Sequence, residues 1–126
     1  MGHVLEVDNI VKQYGKSKKN SGAATLALAG VSFFVDAGEF VAIMGPSGSG
    51  KSTLLNCIST IDAPTSGSIR VAGRDVTKMR GGELAKFRRD QLGFIFQDSN
   101  LLDTLTVREN ISLALTIQKK PTSEIF

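Results

Sequence analysis

The stretch EFVAIMGPSGSGKSTLLNCI, residues 39–58, constrains this chain more than any other. Its apolar run, FVAIM, has turn-forming residues on both sides, which suits a strand covered on both faces, as in a parallel sheet. The run leads directly into a glycine-rich turn. Beyond the turn, Leu54, Leu55, Ile58 and Ile61 recur at helical spacing. The order strand, glycine-rich loop, helix predicts an α/β core with the loop where strand passes into helix.

Gly45, four intervening residues, then Gly50, Lys51 and Ser52 satisfy the pattern G-x-x-x-x-G-K-[ST] in the context of strand and helix that it requires. Glycines let backbone N–H groups converge on an anion, and the helix N-terminus adds partial positive charge. Gly45, Pro46, Ser47, Gly48, Ser49, Gly50, Lys51, Ser52 and Thr53 are therefore candidate phosphate-binding residues. Lys51 can reach β- and γ-phosphates, the Ser52 hydroxyl can ligate Mg²⁺, and Thr53 can bond an α-phosphate. Gly and Ser alone make ordinary turns, but an ordinary turn does not require Lys and Ser after the last glycine.

The 126 residues suit one domain. Leu5 to Asp8 alternate apolar and charged residues, and Val31, Phe33 and Val35 share a face, so both segments read as antiparallel strands with one wet face. Residues 15–25 between them, GKSKKNSGAAT, read as an exposed connection whose lysines are solvated. APTSG, residues 63–67, ends the glycine-loop helix. SIRVAG reads as a short strand, LAKFRRD as a short amphipathic helix through Leu84 and Phe87, and LGFIF, residues 92–96, as a second buried strand. Thr106 and Glu109 form a capping-box pair for a helix with the apolar stripe Val107, Ile111, Ala114 and Leu115, limited by Pro121.

With 41% hydrophobic and 21% charged residues the composition is that of a soluble globular chain, and a net charge of +3 names no partner, so no nucleic acid is expected. FVAIM is far shorter than the roughly 18 residues of a membrane span, and a cytoplasmic location is expected. A single cysteine, Cys57, excludes an internal disulfide framework and reads as a small buried side chain. The basic residues Lys78, Arg80, Lys86, Arg88 and Arg89 read as a solvated face.

The stretch LAGVSFFVDAGEFVAIMGPSGSGKSTLLNCISTIDAPTSGSIRVAGRDV resembles the ATP-binding subunit of ABC transporters, and GFIFQDSNLLDTLTVREN is similar to the same family downstream. The likeness runs from Leu5 to about Ile117. It implies a P-loop NTPase core with an N-terminal antiparallel β subdomain, incomplete on its C-terminal side. Antiparallel strands and P-loop core would extend to about residue 62, with further strands, the Q-loop and the start of a helical subdomain over about 63–126.

ATP and Mg²⁺ are the implied cofactors. Tyr14 matches the aromatic residue that stacks on adenine, and its flat face suits that role; otherwise it is a tyrosine packed at a strand end. Gln97 matches the Q-loop glutamine, which touches Mg²⁺ and the attacking water. Asn100, Leu101 and Leu102 resemble part of the groove that receives a permease's coupling helix. The implied partners are a membrane permease and a second copy paired head to tail, on the inner face of the cell membrane. Within the family the chain is most similar to subunits for export of, or resistance to, peptide antibiotics such as bacitracin, with lipoprotein-release and macrolide-export subunits as relatives.

The LSGGQ-type signature, the second acidic motif and the switch histidine of this family do not occur in the 126 residues. RGGEL, residues 80–84, precedes Gln97 and reads as a loop opening the Leu84 helix, while His3 is a terminal residue without a role. Hydrolysis by this chain alone is therefore not expected, since phosphoryl transfer needs the metal held from both sides and the water oriented. A truncated, non-catalytic nucleotide-binding fragment is the alternative, and a small P-loop kinase a remote one. In the family, the acidic-motif strand pairs beside the P-loop strand, so exposed apolar surface and marginal solution behaviour are expected.

Overall fold

The computed structural model describes residues 2–15, 25–121 and 123. These form two compact units, one ending at Arg80 and the other beginning at Gly81. The expected connection over residues 15–25 lies, from residue 16 to residue 24, outside the described residues.

In the first unit, β1 (Leu5–Tyr14) pairs antiparallel with β2 (Thr25–Val35) on one side and β3 (Ser66–Val71) on the other. A short β4 (Arg74–Asp75) completes a four-stranded sheet in the order β2-β1-β3-β4. Both β1 and β2 run longer than the alternation in the sequence suggests, because the period breaks inside them. The register shifts near Asn9, where the backbone is left-handed at φ 49°. Gly67 lies against this irregularity, and a Cβ there would stand 2.3 Å from the Asn9 carbonyl oxygen, so only glycine lets β3 approach.

Val7, Ile10, Leu28 and Ile69 of the sheet are buried, as are Leu54 and Cys57 of the helix α1 (Lys51–Ile58). Ile10 and Ile69 are completely inaccessible. Each such side chain contributes about 1.5–3 kcal/mol relative to exposure. Val31, Phe33 and Val35 are half-buried between exposed Ser32 and Phe34, in line with the expected alternation. After β4, a 3₁₀ turn (Val76–Lys78) is capped by the Asp75 carboxylate, which accepts from the Thr77 N–H at 3.0 Å.

The second unit contains α2 (Gly82–Gln91) and α3 (Val107–Ile117). The glycines of RGGEL open α2 as expected, with Gly81 at its N-cap. The Gln118 side-chain amide donates to the Arg89 carbonyl at 2.7 Å and ties the two helix ends together. The capping box of α3 is present: the Thr106 hydroxyl accepts from the Glu109 N–H at 3.1 Å, and the Glu109 carboxylate accepts from the Thr106 N–H at 3.4 Å.

Three expectations are corrected. Residues 39–44 and 92–96, expected as buried parallel strands, belong to no strand; Phe40 is 99% and Ile95 103% exposed. A strand buried on both faces needs ladder partners and two covering layers, and the sheet of the described residues does not include these segments. The helix after the glycine loop ends at Ile58, so Ile61 falls in the turn and is 54% exposed; Thr60, left-handed at φ 66°, breaks the helical path. In α3 the first half of the expected apolar stripe faces outward, with Val107 78% and Ile111 80% exposed, while Leu115 is half-buried and Ser112 buried. Periodicity identified the helix, but the burial of its stripe needs an apolar neighbour that the described residues do not supply.

Candidate functional site

The glycine-rich loop is a tight turn closed by the Ser49 N–H, which donates to the Pro46 carbonyl at 3.1 Å. Gly48 (φ 82°) and Gly50 (φ 97°) hold left-handed conformations. Gly50 is the N-cap of α1, and the first helical bond within it runs from the Leu54 N–H to the Gly50 carbonyl at 2.9 Å. The N–H groups of Lys51, Ser52 and Thr53 thus have no carbonyl inside the helix to bond. No side chain of the described residues caps this end, and no acidic residue lies in its first turn. Its partial positive charge is therefore not neutralised locally.

The Lys51 ammonium donates to the Gly45 carbonyl and, at 2.9 Å, to the Pro46 carbonyl. The lysine is folded over the loop, with its charge at the loop's mouth. A cleft of about 460 Å³ is lined on one side by Thr25, Leu26 and Ala27, and on the other by residues 47–53. The two walls meet at Gly50, where a Cβ would stand 2.7 Å from the Ala27 carbonyl oxygen. Bounded by a hairpin wall on one side and by the helix N-terminus and Lys51 on the other, this cleft carries positive charge and donors that suit an anion.

Tyr14 pairs across the hairpin with Thr25, and Gln13 with Leu26, so the end of β1 lies beside the residues forming the cleft wall. The Tyr14 hydroxyl donates to Asp62 at 3.2 Å. Asp62 also accepts from the Lys12 ammonium at 3.0 Å and from the Ala63 N–H at 2.9 Å. Lys12 donates in addition to the Ala63 carbonyl at 2.6 Å, and its nitrogen lies 5.1 Å from the centre of the Tyr14 ring. The hydrogen bond from Lys12, with its positive charge and the Tyr14 hydroxyl, holds the Asp62 carboxyl below the usual carboxylate value. Burial, and then the negative charge of Asp62, push the Cys57 thiol up, which suits a packed thiol rather than a reactive one.

Gln97 lies in the second unit, exposed in the irregular segment between α2 and α3, just after the stacked rings of Phe94 and Phe96. Leu101 is 69% and Leu102 46% exposed. Asn110 fixes the segment that follows: its side-chain oxygen accepts from the Leu102 N–H at 2.8 Å, and its amide donates to the carbonyls of Leu102 and Thr106 at 3.0 and 2.9 Å.

The structure thus brings the end of β1 that carries Tyr14 close to the wall of the cleft formed by the glycine loop, within one unit. The sequence reading missed Lys12, Asp62 and Asn110. Lys12 shares a strand face with Tyr14, a two-residue spacing that could have drawn attention to it. Asp62 looked like part of a helix end, and its partnership spans 50 residues of chain. His3 stacks on Phe34 and pairs with Asp36, on residues that do not line the cleft.

A family profile described as ABC transporter matches residues 28–125. The chain is 52% identical over 123 residues to the ABC transporter ATP-binding protein YxdL of Bacillus subtilis, covering 98% of this chain and 46% of that protein. It is 53% identical over 118 residues to the bacitracin export ATP-binding protein BceA of Halalkalibacterium halodurans, covering 94% and 45%. The chain spans about half the length of the curated relatives it matches. Among solved structures it is similar to the dimeric post-hydrolysis state of the ATP-binding cassette MJ0796 bound to ADP and Pi, with a TM-score of 0.83 and 39% identity over 96% of this chain and 52% of that one.

Proposed function

The chain belongs to the ABC transporter family, and from that premise we propose that its glycine-loop cleft holds the triphosphate of ATP while Tyr14 stacks on the adenine. The observation that carries this reading is the α1 N-terminus. Three N–H groups and the Lys51 ammonium surround one cleft, with no acidic residue in the helix's first turn to oppose an anion.

Mg²⁺ fits the same place. Among the described residues no group of three or more His, Cys, Asp or Glu could hold a metal. Mg²⁺ needs no such cage, because it is commonly held by phosphate oxygens, water and one or two side chains. Ser52, in the lining of the cleft, would be its side-chain ligand. When bound, the ion neutralises phosphate charge; Gly45 to Gly50 and Thr53 orient the anion, and Lys51 exchanges its loop carbonyls for phosphate oxygens.

Binding, rather than turnover, is what we assign to these residues, because the LSGGQ-type signature, the second acidic motif and the switch histidine are not among them. The similarity to a dimeric cassette and to BceA supports the larger reading. In that reading the protein works as a head-to-tail pair beneath a membrane permease, on the inner face of the membrane, in export of or resistance to a peptide antibiotic. Among the described residues no helix is long and apolar enough to cross a membrane.

Equilibrium binding of MgATP to the wild type and to Lys51→Ala tests the nucleotide reading. Loss of a charged donor to phosphate, worth about 1.5–3 kcal/mol, should weaken binding by roughly 10- to 100-fold. Equal affinities would sink the assignment.

A further inference from the structure

We propose that Asp62, acting together with Lys12, is a positioning residue that presets the Tyr14 ring for the base of the nucleotide. The inference rests on the adenine role given to Tyr14 above, and goes beyond it by naming what holds the ring.

Tyr14 is the last residue of β1 and 43% exposed, a position at which an unheld ring would sample several rotamers. Here the hydroxyl is fixed on Asp62 at 3.2 Å, and the ammonium of Lys12 sits over the ring, 5.1 Å from its centre. Lys12 is itself anchored by Asp62 and the Ala63 carbonyl, and only 13% of its side chain is exposed. An ammonium beside an aromatic ring is attracted by the ring's electron-rich face, which opposes rotation of the ring away from it.

The turn that carries Asp62 is also specifically built. Thr60, a β-branched residue, is left-handed at φ 66°, a conformation that persists only where its surroundings over-determine it. The Asp62 N–H donates back to the Asn56 carbonyl at 3.1 Å, fixing the carboxylate relative to α1, the helix whose N-terminus forms the phosphate end of the cleft. Asp62 therefore links the two ends of the proposed nucleotide site: α1 on the phosphate side and Tyr14 on the base side. A ring set in advance spares the ordering cost of one side chain on binding, which corresponds to about a 2- to 10-fold gain in affinity for a ligand that has a base. A ligand with no base gains nothing.

The test compares MgATP with inorganic triphosphate, both with Mg²⁺, on wild type, Asp62→Ala, Tyr14→Phe and Tyr14→Ala. Asp62→Ala and Tyr14→Phe should each weaken MgATP about 2- to 10-fold and leave triphosphate binding unchanged. In Tyr14→Ala, the further substitution Asp62→Ala should have no additional effect on MgATP. Equal weakening of both ligands by Tyr14→Phe, which keeps the ring and the Lys12–Asp62 pair, would show a general structural role and overturn the proposal. If Asp62→Ala fails to fold, triphosphate binding is lost with it and Tyr14→Phe decides. A normal MgATP affinity in Tyr14→Ala removes the adenine reading and this inference together. A weakened Tyr14→Ala beside unaffected Asp62→Ala and Tyr14→Phe removes this inference alone.

Discussion

Replacing Gly50 with alanine probes the joint between the hairpin wall and the phosphate loop. Gly50 is left-handed at φ 97°, a conformation that penalises an L side chain by about 1–2 kcal/mol. The added Cβ would also stand 2.7 Å from the Ala27 carbonyl oxygen and 3.1 Å from the Leu28 Cδ2. These atoms belong to β2, which is laddered to β1 through Leu28 with Lys12 and Ala29 with Val11, so the backbone cannot retreat without disturbing the sheet. Such overpacking costs about 1–3 kcal/mol. Alanine also stiffens the unfolded chain and recovers about 0.4–1 kcal/mol, which leaves a net loss of about 1–4.5 kcal/mol. Gly48 supplies the control: it is left-handed at φ 82°, but nothing lies within 4 Å of its would-be Cβ, so Gly48→Ala should lose no more than about 1.5 kcal/mol. Urea titration followed by circular dichroism, without nucleotide, gives both values. If Gly50→Ala is no more destabilising than Gly48→Ala, the Ala27 approach does not matter and the argument for a rigid joint fails.

Acid should erase the contribution of Asp62. The Lys12 hydrogen bond and charge hold its folded pKa below the ordinary 3.8, so its stabilisation is complete above that value and is lost as pH falls through the lowered folded pKa. The stability gap between wild type and Asp62→Asn should therefore shrink on acidification, and a gap that widens in acid would contradict the assignment. Burial predicts a second contrast: Phe40→Ser should change stability by no more than about 0.5 kcal/mol, since Phe40 is 99% exposed, whereas Ile69→Ala should lose about 2–5 kcal/mol. Similar losses at the two positions in chemical unfolding would show that the segment around Phe40 is packed after all.

What could be read in the sequence divides according to how far each signal reaches. The glycine loop, the capping box of α3 and the opening of α2 at Gly81 are set by residues within a few positions of one another, and each forms as expected. The hairpin and β3 were legible from alternation, although the irregularity at Asn9 was not, because it is set by the approach of Gly67 from β3. Lys12 and Tyr14 share a strand face, but Asp62 meets them only once α1 and the hairpin are in place, so no local pattern announces its part.

The apolar runs at 40–44 and 92–96 carry a different lesson. Hydrophobicity states that a segment is suited to burial, but not which element buries it or whether that element lies in the same stretch of chain. Phe40, Met44 and Ile95 are 99%, 86% and 103% exposed although their sequence reads as core, while the P-loop that follows Met44 still takes its turn and starts its helix. The glycine turn and the start of α1 thus form beside the hairpin, although the sheet of the described residues does not include the apolar run before them. This separation is physically sensible, because backbone N–H groups at a helix end need only the helix and a permissive turn to converge on an anion. Nucleotide contact can therefore be proposed for this chain on local grounds, whereas the exposed Leu101, Leu102, Val107 and Ile111 have no covering element among the described residues.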